Sequence, residues 1–457
     1  MSPSGHASHF QLLRSKHKIF IFEGYTTTFT EEGLRIEYLF KIDGLAVFKP
    51  VSVIHFGKYQ DVFLNNYNQN RPLAEYLIFN IGLIELISYW KTTCAPIIQI
   101  TGNLLTPAQV EWWKKLYFNG LGEFFYVNGL NPTLEEFVDI VSSGGQFLPQ
   151  NVRGMTDGFL IPVGGGKDSA VTLELLKNAQ VEIIPLIINP RGATIETLLA
   201  AGIDSNDMVS ISRTIDPELI RLNSEGYLNG HTPFSAMLAF YSLLASLLIG
   251  KRDIALSNES SANEATIPGT HINHQYSKSF AFEQDFREYV TRYISSSFNY
   301  FSFLRPLNEL QIVSVFSKLN QYHRVFKSCN VGSKTDSWCG KCPKCMFTHI
   351  MLSAFKGKAY TDEILGAKML DDADMAVVFD ELCGFSENKP FECVGTIDDV
   401  NQAMQMIANQ YKDKEKPLLV DRFLCHDRAN NLSADISQIS NSHNLSPNQF
   451  ELLKKAL

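Results

Sequence analysis

Residues 158–179 read GFLIPVGGGKDSAVTLELLKNA. The run from Phe159 to Val163 is short and apolar, as a strand buried on both faces requires. Gly164, Gly165 and Gly166 then break the pattern. From Ser169 onward, Ala170, Val171, Leu173, Leu175 and Leu176 recur at helical spacing. A strand, a glycine turn and a helix in this order start a crossover unit. The chain repeats the alternation: VEIIPLIIN (181–189) is a second buried strand, a helix over 193–201 precedes a strand over 208–215, and a helix over 233–250 precedes a strand over 253–256. Such alternation predicts an α/β fold with a parallel sheet, helices on its faces, and ligands at the carboxyl ends of its strands.

Three glycines let a backbone approach phosphate oxygens closely, and the following helix offers N–H donors and the positive end of its dipole. Lys167 adds charge, Asp168 suits Mg²⁺, and Ser169 can donate to a phosphate. A Walker A loop needs Ser or Thr directly after the lysine, where Asp168 stands, and the spacing is not that of a dinucleotide fingerprint. The segment resembles the pyrophosphate loop (PP-loop) of N-type ATP pyrophosphatases, whose pattern is SGGxDS. That resemblance implies ATP binding at Gly164, Gly165, Gly166, Lys167, Asp168 and Ser169, with cleavage between the α and β phosphates. The sequence departs from the pattern at Gly164, which removes one hydroxyl contact.

Cys329, Cys339, Cys342 and Cys345 lie in CNVGSKTDSWCGKCPKC (329–345). Four thiolates on a short loop suit a closed, structural tetrahedral Zn²⁺ site; C-x₂-C-x₂-C also occurs in iron–sulfur proteins. The cluster is similar to the zinc loop of pyrophosphate-loop enzymes that make deazaguanine nitriles. Cys94, Cys383, Cys393 and Cys425 are isolated and read as small core residues, with Cys94 the first alternative as a reactive thiol. His6, His9 and His17 read as solvated.

The chain has 457 residues, 45% hydrophobic and 19% charged, with a net charge of −8. That length predicts two to four domains, and the acidic balance argues against a general nucleic-acid binder. Residues 1–20 lack the apolar stretch of a secretory signal. The uncharged run 237–250 is too short for a membrane span and reads as a core helix. Eight cysteines in a chain this long, without a signal, suggest a reduced, cytoplasmic protein.

Residues 17–56 read as β, with Asp43-Gly44 as a hairpin pair. Helices are expected over 73–90, from Thr106-Pro107 toward Gly120, and over 132–143. The resulting organisation is an α+β domain over 1–150, a catalytic α/β domain over 151–357 that includes the metal loop, and a mainly helical region over 358–457. Near its end Ser446, Pro447 and Gln449 form a capping box, with Leu445 and Phe450 as a staple.

Segments across the chain resemble the ATP-dependent UDP-N-acetylmuramoyl-L-alanyl-L-glutamate epimerases of bacterial peptidoglycan synthesis. They are Tyr89-Trp90-Lys91, GLGEFFYVNGL (120–130), the VGGGKDS loop, NGHTPFSA (229–236), SNESSA (257–262), NHQYSKSFAFEQ (273–284), FSFLRPLNEL (301–310), WCGKCPKC (338–345) and KPFECVG (389–395). The likeness runs from about residue 17 to 400 and is weak at both ends. It implies an isomerase that takes the small-molecule substrate UDP-MurNAc-L-Ala-L-Glu with ATP and Mg²⁺, and gives AMP and pyrophosphate. Another adenylating pyrophosphatase, amidating or nitrile-forming, is the alternative enzyme; an inactive nucleotide-binding protein is the alternative of another class. Inversion by two bases needs acid/base groups on both faces of the α-carbon, and the candidates are His231, Glu259, His274, Lys278 and Glu283. Arg305 or Lys278 could neutralise the γ-carboxylate or the diphosphate.

Overall fold

The glycine turn follows the third strand from one edge of an eleven-stranded sheet. The structure, a computed structural model, describes residues 3–264, 266, 273–426 and 438–455. The strands are β1 (Ile19–Phe29), β2 (Gly33–Ile42), β3 (Ala46–Phe48), β4 (Val51–His55), β5 (Ile97–Ile100), β6 (Asp139–Ser142), β7 (Thr156–Pro162), β8 (Ile183–Ile188), β9 (Val209–Thr214), β10 (Lys251–Leu256) and β11 (Asn299–Ser302). Their order is β11-β10-β7-β8-β9-β4-β2-β1-β5-β6, with β3 on β2.

From β11 to β9 every pair is parallel, as the alternation of strands and helices predicts. β7 is the first of these in the chain; β8 and β9 are added on one side of it, and β10 and β11 on the other. The order therefore reverses between β7 and β10, and such a switch point opens a crevice at the carboxyl ends of the two strands.

The N-terminal strands extend the same sheet. β4 pairs antiparallel with β9, from Val51 opposite Thr214 to His55 opposite Ser210. The expected hairpin forms between β2 and β3 around Gly44, at φ +67°. Gly24 marks a register shift in β1, as a bulge requires.

The helix expected over 132–143 is replaced at its end by β6. Ile140 is buried while Asp139 and Val141 are exposed, which is the period of a strand. Residues 134–136 form a turn, and β6 pairs in parallel with β5, so tertiary pairing overrides the helical reading at 139–142. The end of β5 and the start of the Pro107–Gly120 helix are both held by this edge: Leu104 N–H donates to Gly145 O, and Leu105 N–H to Ser142 Oγ.

The helix Phe234–Ile249 is buried almost throughout, and Gly250 ends it in the left-handed conformation at φ +73°. The helix Arg71–Trp90 is long and apolar enough to cross a membrane by length and composition. Here it lies inside the protein, buried from Leu73 to Trp90 except at Glu75. Burial of each Leu, Ile or Phe along these helices contributes about 1.5–3 kcal/mol, which fixes the layers that flank the sheet. Arg213 and Glu85 pair inside this interface at 2.7 Å.

Beyond Lys358 the described elements are helical, among them Lys358–Leu365, Ala376–Cys383, Ile397–Gln410 and Leu418–Leu424. They share a core with Cys329, Cys342 and Cys345. The final helix, Pro447–Lys454, carries the capping box of Ser446 and Gln449. Leu445, Phe450 and Leu453 join the core around Ile161 and Leu173.

The N-terminal helix, Pro3–Lys16, leads into a histidine whose solvated reading is corrected, His17, while His9 stays partly exposed. His17 is buried beside Tyr227, and His9 lies within hydrogen-bond distance of Gly226 O. Arg14 docks the helix by donating to Cys94 O and Phe137 O. His6 lies outside the residues whose side chains are described.

Candidate active site

The loop after β7 carries Gly164–Ser169 into the crevice at the switch point. Gly165 sits at φ +79°, and a Cβ there would come within 3.1 Å of the backbone of Ala193 and Thr194. Only glycine fits both conditions. At Gly164 a Cβ would meet nothing within 4 Å, so the missing serine hydroxyl of the pattern is not a steric requirement of this fold. Gly166 ends the turn, and the helix Lys167–Asn178 begins at once, directing its free N–H groups into the crevice.

Lys167 is buried. Its Nζ lies 2.6 Å from Glu309 Oε2 and 2.5 Å from Asp168 Oδ1. Burial alone would lower its pKa, but Asp168, Glu309 and Glu259 outweigh it and raise it. Burial pushes the Glu309 carboxyl up, and Lys167 opposes this. The lysine thus braces the loop from behind, and Asp168 and Ser169 line the cleft in front.

The cleft holds about 390 Å³. Arg191, Lys278, Lys327 and Lys344 line it with two carboxylates, Asp168 and Glu259. A chain that is acidic overall therefore presents a locally cationic crevice, suited to a polyanion. Glu259 belongs to the loop after β10 and accepts from Ser261 Oγ at 3.1 Å.

Of the predicted acid/base residues, Glu259 and Lys278 line the cleft. His231 and His274 stand together with ring centroids 4.6 Å apart. Glu123 receives both: its Oε2 is 3.2 Å from His231 Nδ1 and in closer contact with His274 Nδ1. Burial and the neighbouring His274 pull His231 down to about 4. Burial also opposes charge on His274, yet Cys393 and Glu123 bring it up to about 9. Glu283 is buried and is held by Arg305 at 3.2 Å and Asn444 at 2.7 Å. Arg305 is buried too, and donates to the backbone carbonyls of Glu259 and Lys278 at 2.5 Å each. This pair fixes two cleft residues through their backbones.

The residue that spacing alone did not bring forward is Cys393. It lies in the loop between the helices Ala376–Cys383 and Ile397–Gln410 and reaches the cleft wall. Lys278 Nζ donates to its Sγ at 3.1 Å, and His274 is within hydrogen-bonding reach of the same sulfur. Lys344 holds the Cys393 carbonyl. Burial would raise the thiol, but Lys278, His274 and Lys344 bring it down to about 6. Cys94 is the contrast: it is fully buried, and burial pushes its thiol up.

The four clustered cysteines converge. Cys329 Sγ is 3.8 Å from Cys342 Sγ, and Cys339 Sγ is 3.8 Å from Cys345 Sγ. All four sulfurs lie within 4.8 Å of one another. Four bonds of about 2.3 Å to one tetrahedral Zn²⁺ place sulfurs about 3.8 Å apart, so the loop fits a single ion. Backbone N–H groups of Gly332 and Cys339 point at Cys329 Sγ, and that of Cys345 at Cys342 Sγ, as negatively charged sulfurs require.

Comparison with known proteins places the chain in a family. The family model of the MurL N-terminal domain matches residues 12–303, and that of the MurL C-terminal domain matches residues 325–436. The UDP-N-acetyl-alpha-D-muramoyl-L-alanyl-L-glutamate epimerase of Xanthomonas oryzae pv. oryzae is 36% identical over 352 residues, 75% of this chain and 77% of its own. The protein of the same name from Salinispora tropica is 33% identical over 347 residues, 74% of each chain, and that from a Micromonospora strain is 32% identical over 346 residues, 74% of this chain and 76% of its own. With both family models matched and about three quarters of its length aligned to these proteins at 32–36% identity, the chain belongs to the MurL family of epimerases.

Proposed function

We propose that the chain inverts the α-carbon of the terminal L-glutamate of UDP-MurNAc-L-Ala-L-Glu at the expense of ATP, in the cytoplasmic synthesis of peptidoglycan precursors. The observation that carries this reading is the cationic cleft at the switch point, floored by the VGGGKDS loop, in a chain of this epimerase family. The fold it implies is a PP-loop ATP pyrophosphatase domain. Eight free cysteines suit a reducing compartment.

The chemistry requires activation. Removing the α-proton of a carboxylate places a second negative charge beside the first. Transfer of AMP to that carboxylate, with loss of pyrophosphate, cancels the existing charge and turns the carbonyl into an electron sink. A modest base then suffices. Gly164–Gly166 and the helix N-terminus hold the phosphates, and Ser169 donates to them. Asp168 is the ligand for Mg²⁺, which when bound neutralises phosphate charge on the leaving pyrophosphate. Arg191, Lys278, Lys327 and Lys344 supply the remaining positive charge. Glu259 and Lys278 face the substrate, His231 and His274 tune the neighbouring wall, and Glu283 acts through Arg305. Cys329, Cys339, Cys342 and Cys345 hold a structural Zn²⁺. Hydrolysis of the acyl-adenylate releases the D-glutamyl product and AMP.

Incubation with ATP, Mg²⁺ and UDP-MurNAc-L-Ala-L-Glu in deuterated water tests this. Pyrophosphate release with deuterium at the glutamate α-carbon is the expected result. Pyrophosphate without deuterium would replace epimerisation by amidation or another acyl transfer, and no turnover with any carboxylate would leave a binding protein.

A further inference from the structure

Cys393, Lys278 and His274 form a built cluster on the cleft wall, assembled from two distant segments and buttressed by a third that carries Glu123. Lys278 follows the β10 region, His274 is anchored by Glu123 of the Gly122–Val127 helix, and Cys393 comes from the C-terminal helical region. The parts are held independently. Arg305 fixes the carbonyl of Lys278, Glu123 takes Nδ1 of His274, and Lys344 fixes the carbonyl of Cys393. Tyr126, on the Glu123 helix, also packs its ring 5.2 Å from that of Phe391, two residues before the cysteine. A structural thiol needs none of this, since buried cysteines serve as small apolar residues. Here two cationic side chains converge on one half-buried sulfur that opens onto the same cleft as Asp168 and Glu259.

We propose that Cys393 is a catalytic residue, the group that exchanges a proton with the glutamate α-carbon on one face, with Lys278 and His274 holding its sulfur as a thiolate. The proposal rests on the adenylation reading of the cleft. In the step, the Cα–H bond breaks and an S–H bond forms. The electron pair moves into the carbonyl of the acyl-adenylate to give an enolate. A second acid delivers a proton to the opposite face, and the enolate pair returns to form the new Cα–H bond. The thiol then gives its proton to solvent and the second acid regains one, so no acid or base is consumed. The thiol with its pKa near 6 is matched to such a task, because a catalytic base works best when its pKa lies near the operating pH.

Cys393→Ser separates the steps. Pyrophosphate release from ATP with UDP-MurNAc-L-Ala-L-Glu is expected to stay within about threefold of wild type. Deuterium entry at the α-carbon and formation of the D-glutamyl product are expected to fall about 10²- to 10⁴-fold, the usual worth of a positioned acid/base group. Wild-type deuterium entry in the variant would overturn the proposal, and so would equal loss of both steps at full metal content and unchanged melting temperature. Wild-type inversion without any pyrophosphate would instead overturn the adenylation reading, and leave Cys393 to be judged on deuterium entry alone.

A second measurement does not depend on the variant folding. In a Cys425→Ser background, which removes the exposed thiol, iodoacetamide should alkylate Cys393, abolish deuterium entry, and be blocked by ATP with the substrate. Alkylation of Cys393 that leaves deuterium entry intact would overturn the proposal. So would a substrate-derived acyl group found on Cys393 by mass spectrometry, which would make it a nucleophile.

Discussion

Asp168→Ala is expected to remove pyrophosphate release and epimerisation together, by roughly a thousandfold or more, as loss of a principal electrostatic group does. Asp168 is the carboxylate of the loop that faces the cleft, and no other residue of Gly164–Ser169 can bind Mg²⁺ through a carboxylate. The fold should tolerate the change. Lys167 keeps its contact with Glu309, so no buried charge is left alone, and the helix after the loop keeps its packing through Ala170, Val171 and Leu173. Melting temperature and zinc content should stay at wild-type values. Retained pyrophosphate release in Asp168→Ala would mean that the loop does not hold the triphosphate as described.

Cys345→Ser has the largest expected effect on stability. Cys345 is fully buried at the start of the helix Pro343–Lys356, whose Met346, Phe347 and Ile350 lie in the core of the C-terminal helices. A structural ion contributes folding free energy because its site does not exist in the unfolded chain. Without the fourth ligand, the remaining thiolates repel one another inside an apolar core. Metal analysis should give one zinc per wild-type chain and none in the variant. The melting temperature should fall by roughly 10 °C, the equivalent of a few kcal/mol in a domain of this size. A wild-type protein without metal, or a variant that melts with wild type, would remove the ion from the account.

The two features most legible in the sequence share a property: each is local. The glycine loop and the cysteine cluster each draw their groups from one short segment, so spacing alone marks them as candidate sites. The parallel half of the sheet was legible for a related reason, because each crossover repeats the same alternation of apolar runs. The third helix failed because Ile140 and Val141 fit a strand or a helix equally well, and pairing with β5 decides between them. The join of β4 to β9 involves residues more than 150 positions apart, and no local pattern announces it. Cys393 is the clearest case. Its segment, KPFECVG, carried part of the family likeness, yet its chemistry comes from Lys278 and His274, each more than 110 residues away. Arg305 shows the converse: a lone cation in the sequence, it is buried and donates to the backbones of Glu259 and Lys278, contacts that no local pattern announces.

The central claim is that ATP acts by adenylating the very carboxylate whose α-carbon is inverted. Substrate labelled with ¹⁸O in the glutamate α-carboxylate tests it most directly. Water attacking the carbonyl of the acyl-adenylate leaves the bridging oxygen on AMP, so the account predicts one ¹⁸O in each AMP formed with the D-glutamyl product. Inversion accompanied by unlabelled AMP, or by no AMP at all, would contradict it.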